Sequence, residues 1–167
     1  MIIGSGDIAS ALKDHKNRLY FASGVSNSAE TRESEYEREK RLLLKQKRNL
    51  HLVYFSTLAV FYGNNRYVRH KLDMEALIRQ EFPRYTIMRI GNITWGTNPH
   101  TLINFFHRQV KQGKPLQVSN VYRYIITKDE FLHWISLIPE WNCEMNLTGR
   151  RMKIKEIIDE YVGLYTK

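Results

Sequence analysis

The chain has 167 residues, 43% of them hydrophobic and 26% charged, the composition of one globular domain with a real core and not of a disordered or fibrous chain. Its formal net charge of +9 admits a polyanionic partner such as a nucleotide, a phosphate-bearing sugar or nucleic acid, beside the commoner alternative of a solvated basic surface. The longest apolar runs, residues 42–44, 52–55 and 58–62, are too short to cross a bilayer, and the lone Cys143 excludes an internal disulfide. A first strand that starts near Met1 leaves no room for a secretory leader, so the expected setting is reducing and cytoplasmic.

In chain order, residues 1–3 form an apolar strand stub, and the turn Gly4-Ser5-Gly6-Asp7-Ile8-Ala9 feeds a short helix through Ala9, Ala11 and Leu12. Residues 19–22 read as a second buried strand and 23–28 as a polar loop. A charged helix is predicted over 29–48. Acids lead (Glu30, Glu33, Glu35) and bases follow (Lys45, Lys47, Arg48), which matches the helix dipole. This densest block of charge is therefore a helix surface and not a nucleic-acid arm. Residues 50–55 are a near-continuous apolar run, the pattern of a parallel strand.

A helix is predicted from Tyr67 to about Glu81, apolar at Leu72, Met74, Leu77 and Ile78 and stopped at Phe82-Pro83. A strand over 85–90 follows, then an amphipathic helix through Leu102, Phe105, Phe106 and Val110, ended by Gly113 and Pro115. Strands are expected near 116–118 and over 124–127. Thr127 and Glu130 have the spacing of a capping box for a helix carrying Phe131, Leu132, Ile135 and Ile138, which stops at Pro139. A short strand over 144–147 and a closing helix through Ile154, Ile157, Ile158, Tyr161 and Leu164 complete the pattern. Strands alternating with helices argue for an α/β fold with a parallel sheet.

Two constellations carry chemistry. Gly4-x-Gly6-x-x-Ala9 follows a strand and opens a helix, a turn through which backbone N–H groups can approach a pyrophosphate; the alternative is a tight turn that needs glycine only for its backbone angles. The acid that usually grips an adenosine ribose about 20 residues later is missing, since the next strand reads Leu19-Tyr20-Phe21-Ala22-Ser23. Tyr67 and Lys71 lie on one helix face. An ammonium beside a phenol favours its ionised form, and a strand-end hydroxyl such as Thr57 can hold a reacting oxygen. In isolation, a Tyr–Lys pair at this spacing is easily a coincidence. The histidines (His15, His51, His70, His100, His107, His133) show no metal-ligand spacing, and no metal site is expected.

In this order and on this pattern, the residues resemble the extended short-chain dehydrogenase/reductases, the NAD-dependent epimerase/dehydratase group acting on nucleotide sugars. Residues 4–9 are similar to the family's cofactor turn. Tyr20-Phe21-Ala22-Ser23 resembles its strand beneath the nicotinamide ribose, and residues 55–61 its strand with the active-site Ser/Thr. Residues 67–75 resemble the Tyr-x-x-x-Lys helix, residues 89–96 the segment entering the substrate region, and residues 123–129 a stretch whose arginine binds substrate phosphate. Between Gly6 and Leu19 there is room for only one short helix, so the chain resembles a shortened form lacking the second and third strands of the cofactor domain. That leaves the first strand at the sheet edge, which needs covering or pairing.

The resemblance implies a reduced Rossmann-like parallel sheet of about four strands with helices on both faces and a small C-terminal substrate-side cap. Residues 1–97 would be the dinucleotide-binding core and 98–167 the substrate-side region, in one compact unit. It implies NAD or NADP, with Thr57, Tyr67 and Lys71 catalytic. Gly4, Gly6, Ile8, Ala22, Ser23 and again Lys71 would contact the cofactor, and Asn92 and Arg123 the substrate. The implied activity is oxidoreduction or epimerisation of a nucleotide-linked sugar, as in polysaccharide biosynthesis. Leu58-Ala59 stands where the family's dehydratases carry Asp-Glu, which argues against dehydration. A homodimer through the helices over 29–48 and 67–81 is also implied. The alternative is a non-catalytic Rossmann-like binding or partner-interaction module. Nucleic-acid binding is a weaker third reading.

Overall fold

The computed structural model describes residues 1–163; Leu164, assigned above to the closing helix, lies outside the described residues. The main sheet holds five parallel strands, β1 (Ile2–Ile3), β2 (Arg18–Phe21), β3 (His51–Thr57), β4 (Tyr85–Ile90) and β7 (Cys143–Leu147), in that spatial order. A second sheet of three strands, β5 (Asn92–Ile93), β6 (Tyr122–Ile126) and β8 (Arg150–Lys153), has β6 in its centre, parallel to β5 and antiparallel to β8. The helices are α1 (Asp7–Ala11), α2 (Glu33–Leu44), α3 (Arg66–Glu81), α4 (Leu102–Lys111), α5 (Lys128–Ser136) and α6 (Ile154–Tyr161), with a short 3-10 turn at Leu58–Phe61. None of the described helices is long and apolar enough to cross a membrane.

The apolar run in β3 works as a parallel strand because both of its faces are covered. Val53 and Phe55 point to one side, where Tyr20, Met88 and Ile90 meet Ala11 of α1, Leu12 just after it and Phe131 of α5. Leu52 and Tyr54 point to the other, where Leu19, Phe21 and Ile87 meet Leu43 of α2 and Met74 and Ile78 of α3. A third cluster joins Ile103 and Phe106 of α4, Ile125 of β6, Met152 of β8 and Ile154, Ile157 and Ile158 of α6. Phe131 links the layers: its ring lies 5.9 Å from that of Phe55 and 5.2 Å from that of Trp95.

Several expectations are corrected. The main sheet has five strands and not about four, because residues 143–147 pair with β4. No strand forms over 116–118; after Gly113, with φ +64, Leu116 packs against the third cluster while Val118 is exposed. The places in the second sheet go to β5 and β8, which the sequence pattern did not show. Helix α2 starts at Glu33 and not near Ala29, because the Glu30 carboxylate accepts from the backbone N–H groups of Thr31 and Arg32 and from the Arg32 guanidinium. Local bonds of this kind compete with helix formation. It ends at Leu44, whose carbonyl accepts from Arg48 Nη1. Of the capping box expected at α5 one half forms: the Thr127 hydroxyl accepts from Glu130 N–H at 3.3 Å.

Phe131 is fully buried between the sheets. Phe131→Ala is expected to cost about 3–5 kcal/mol, read as a lower urea midpoint with an unchanged slope.

Candidate active site

Helix α3 approaches the end of β3 from a side-chain cap: Asn65 Oδ1 accepts from Val68 N–H at 2.9 Å. This start places Tyr67 and Lys71 on the face turned to the sheet. Deeper along the helix, the buried Glu75 carboxylate accepts from Ser56 Oγ at 2.7 Å, from Arg89 Nε at 2.9 Å and from Arg79 Nη2 at 3.2 Å. Arg89 and Arg79 both reach on to Glu144 of β7, at 2.6 and 2.7 Å. This network ties α3 to β3, β4 and β7, and so fixes the distance between Tyr67 and the neighbour of Ser56, Thr57.

One cleft of about 910 Å³ is lined by Thr57, Tyr67 and Lys71 together. Gly6, Ile8, Ala22 and Ser23 line it as well, as do Asn92 and Arg123. Gly4 does not; with φ +125 it packs on β2, where a Cβ would stand 2.4 Å from the Ala22 carbonyl oxygen. Gly6 differs, since nothing lies within 4 Å of where its Cβ would be. Asp7 clasps the segment after β5: its carboxylate accepts from Thr97 and Asn98 N–H, both at 3.0 Å, and its carbonyl from Trp95 Nε1 at 3.1 Å. Asn92 Nδ2 donates to the Tyr124 carbonyl. Arg123 donates to the Tyr122 carbonyl and lies 5.5 Å from the Tyr62 ring. Arg38 and Arg108 add further positive charge to the cleft wall.

The electrostatics of the site centre on a residue the sequence reading did not single out. Glu39 of α2 is 0% exposed and Lys71 2%. Lys71 Nζ donates to Glu39 Oε1 at 3.0 Å and to Tyr54 OH at 3.1 Å, and Tyr54 OH donates to Glu39 Oε1 at 2.7 Å. Glu39 Oε2 accepts from Val25 N–H at 2.7 Å and faces His70 Nε2 at 3.0 Å, the imidazole being the donor because a carboxylate only accepts. Burial alone would raise the Glu39 carboxyl, but the Lys71 charge, the His70 hydrogen bond and the Val25 N–H outweigh it and hold it well below the usual carboxylate range.

Tyr67 is partly buried and belongs to the cleft wall. Burial and then the Glu39 charge push the phenol well above its ordinary value, and the nearby Thr57 hydroxyl offsets this only in part. Lys71 Nζ lies 5.8 Å from the Tyr67 ring centroid, but its charge is matched by Glu39. Thr57 Oγ1 accepts from Ala59 N–H at 3.2 Å, which leaves its own proton free to donate. The signal for Glu39 was present in the sequence: it falls at helical spacing between Tyr36 and Leu43, on the buried stripe of α2.

The sequence matches no protein-family model, and no curated protein matches it. Solved structures do match in fold. WbmG of Bordetella bronchiseptica, solved with NAD and also with NAD and UDP, superposes with a TM-score of 0.65 at 18% identity, covering 88% of this chain and 56% of WbmG. WbmH of the same organism, with NAD+, gives 0.73 at 14% identity, over 90% of this chain and 60% of that one. The Thermus thermophilus UDP-glucose 4-epimerase, with NAD, gives 0.64 at 15% identity, over 88% and 61%. The chain thus has the Rossmann-like fold of these proteins but spans under two thirds of their length.

As pH falls below about 4.5, the ordinary carboxylate value, the unfolded chain takes up a proton that native Glu39 still refuses. The stability that this carboxylate contributes is whole above that pH and is lost on acidification toward the native value. Glu39→Gln is expected to be less stable than wild type near neutrality by about 3–5 kcal/mol, the cost of breaking one side of a buried pair. Urea midpoints of the two proteins are expected to converge between about pH 5 and about pH 2.

Proposed function

We propose that this chain is a nicotinamide-dinucleotide-dependent oxidoreductase or epimerase acting on a nucleotide-linked sugar through Thr57, Tyr67 and Lys71. The observation that carries this reading is that these side chains, from β3 and α3, line one cleft with Gly6, Ala22 and Arg123. The open space at Gly6 suits the close approach of a pyrophosphate, and Arg123 suits a substrate phosphate. NAD and UDP in the WbmG structure and NAD in the epimerase structure support the same ligand classes here.

A bound nicotinamide supplies a hydride acceptor or donor at a sugar carbon. The chain's own residues manage the oxygen on that carbon. Thr57, its lone pair engaged by Ala59 N–H, is free to donate its proton to a sugar oxygen. Tyr67, protonated at neutral pH, is set to donate a proton to a carbonyl oxygen when the substrate is reduced. In oxidation the phenol must first ionise, and the rate in that direction rises with pH. Residues 58 and 59 offer a leucine and an alanine, with no acid or base for water elimination.

A second reading, a binding module without turnover, is favoured by the pairing of Lys71 with Glu39 and by the lack of any strand beyond β1 in the main sheet among the described residues. Titration with NADH and NADPH separates the two; no fluorescence change at millimolar concentration favours the module. Where turnover is found, Tyr67→Phe is expected to lower kcat by about 10²–10⁴-fold, the usual contribution of a general acid, with NADH titrations unchanged. A loss of binding in place of turnover would contradict the role given to the phenol.

A further inference from the structure

We propose that the uncovered face of the second sheet, where Tyr122 and Tyr124 of β6 stand beside Arg151 and Lys153 of β8, binds single-stranded nucleic acid. None of these side chains lines the cleft, so this surface is independent of the cofactor and sugar reading.

Strand register puts the four together. Tyr122 pairs with Lys153 and Tyr124 with Arg151, and directly opposed residues of an antiparallel pair share a face. Ile125 of β6 and Met152 of β8 point the other way, into the cluster built with α4 and α6. Ile126 carries the first face into the main core beside Trp95 and Phe131. Away from Ile126 that face opens to water: Tyr122 and Arg151 are exposed, Tyr124 and Lys153 half-buried.

The charges on this face are unspent. Arg150, on the opposite face, pairs with Glu160. Neither Arg151 nor Lys153 is in a salt bridge among the described residues. Glu156 meets Lys153 at its backbone N–H. Both cations turn instead to an aromatic ring: the Arg151 guanidinium carbon lies 3.8 Å from the centroid of Tyr122, and Lys153 Nζ 5.7 Å from it.

That combination selects the partner. A phenol ring and a guanidinium both offer planar faces on which bases stack, while the cations meet backbone phosphates. An acidic peptide would use the cations and leave the rings idle. A duplex keeps its bases stacked on one another, whereas a single strand can splay them onto the protein. The net charge of +9 draws a polyanion in from a distance. Cations on a sheet border such as β8 also deter strand pairing, but that role alone gives the tyrosines no part.

The test uses the full chain and the fluorescence anisotropy of a labelled oligothymidylate of about 16 nucleotides, the upper site size of one small stacking domain. Wild type is expected to bind with a dissociation constant below about 100 μM, the range of sequence-independent binding; no binding there overturns the proposal. Tyr122→Ala is expected to weaken binding at least about fivefold, the loss of one stacked base, and a smaller change overturns it. Arg151→Gln is expected to reduce the slope of log affinity against log salt by about 0.7, one phosphate of a single strand; an unchanged slope overturns it.

A backbone of the same length without bases is expected to bind wild type and Tyr122→Ala equally. If Tyr122→Ala weakens it as much as it weakens the oligothymidylate, the ring does not stack bases and the proposal falls. Should Tyr122→Ala not fold, Tyr122→Leu, which keeps an apolar side chain but no stacking plane, is read by the same criteria. NADH titrations of these variants are expected to match wild type. A wild type that binds no NADH overturns the cleft reading and leaves this one to its own measurements.

Discussion

Helix α3 is clamped between two carboxylates that water does not reach. On one side Glu39 of α2 holds Lys71 and His70; on the other Glu75, carried by α3 itself, holds Ser56 and Arg89. Stripping a carboxylate of water costs several kcal/mol, and each of these recovers that only by filling its lone pairs with donors from several elements. The arrangement is therefore directional in a way that apolar packing is not. A slide of α3 along its axis by a fraction of a turn would keep Met74 and Ile78 against the core but would leave both anions unsatisfied. The meeting of Tyr67 with Thr57 across the cleft follows from that intolerance.

The main sheet was legible because its central strands are buried on both faces. Residues 52–55 and 85–90 have no polar face to mislead the pattern, and the alternation of clusters around β3 follows from it. The second sheet was not legible. Strand β5 has two residues and β8 carries Arg150, Arg151 and Lys153, so neither shows an apolar period, and both exist only because β6 offers them its edges. Residues 116–118 fail in the opposite sense: locally strand-like, they find no partner.

The site was legible in its parts and not in its balance. Thr57, Tyr67 and Lys71 could be placed from strand end and helix spacing, and they share a cleft. What spacing cannot show is which neighbour claims a charge first. Glu39 looked like one acid among many on a charged helix, although its position between Tyr36 and Leu43 put it on the inner stripe. Its presence turns an ammonium expected to ease ionisation of the phenol into one already neutralised, and burial, with the Glu39 charge behind it, moves the phenol the other way.

The turn at Gly4 sets where the margin of the main sheet can go. With φ +125 and a Cβ that would stand 2.4 Å from the Ala22 carbonyl oxygen, this position admits no side chain, and the backbone leaves the sheet directly after Ile3. Among the described residues no strand pairs with the outer flank of β1 in the main sheet, so the turn also limits how far that bare flank runs toward the cleft, and natural sheets blunt their borders by such devices. A residue with a side chain at Gly4 would push β1 off β2 and leave the border both looser and open to a foreign strand.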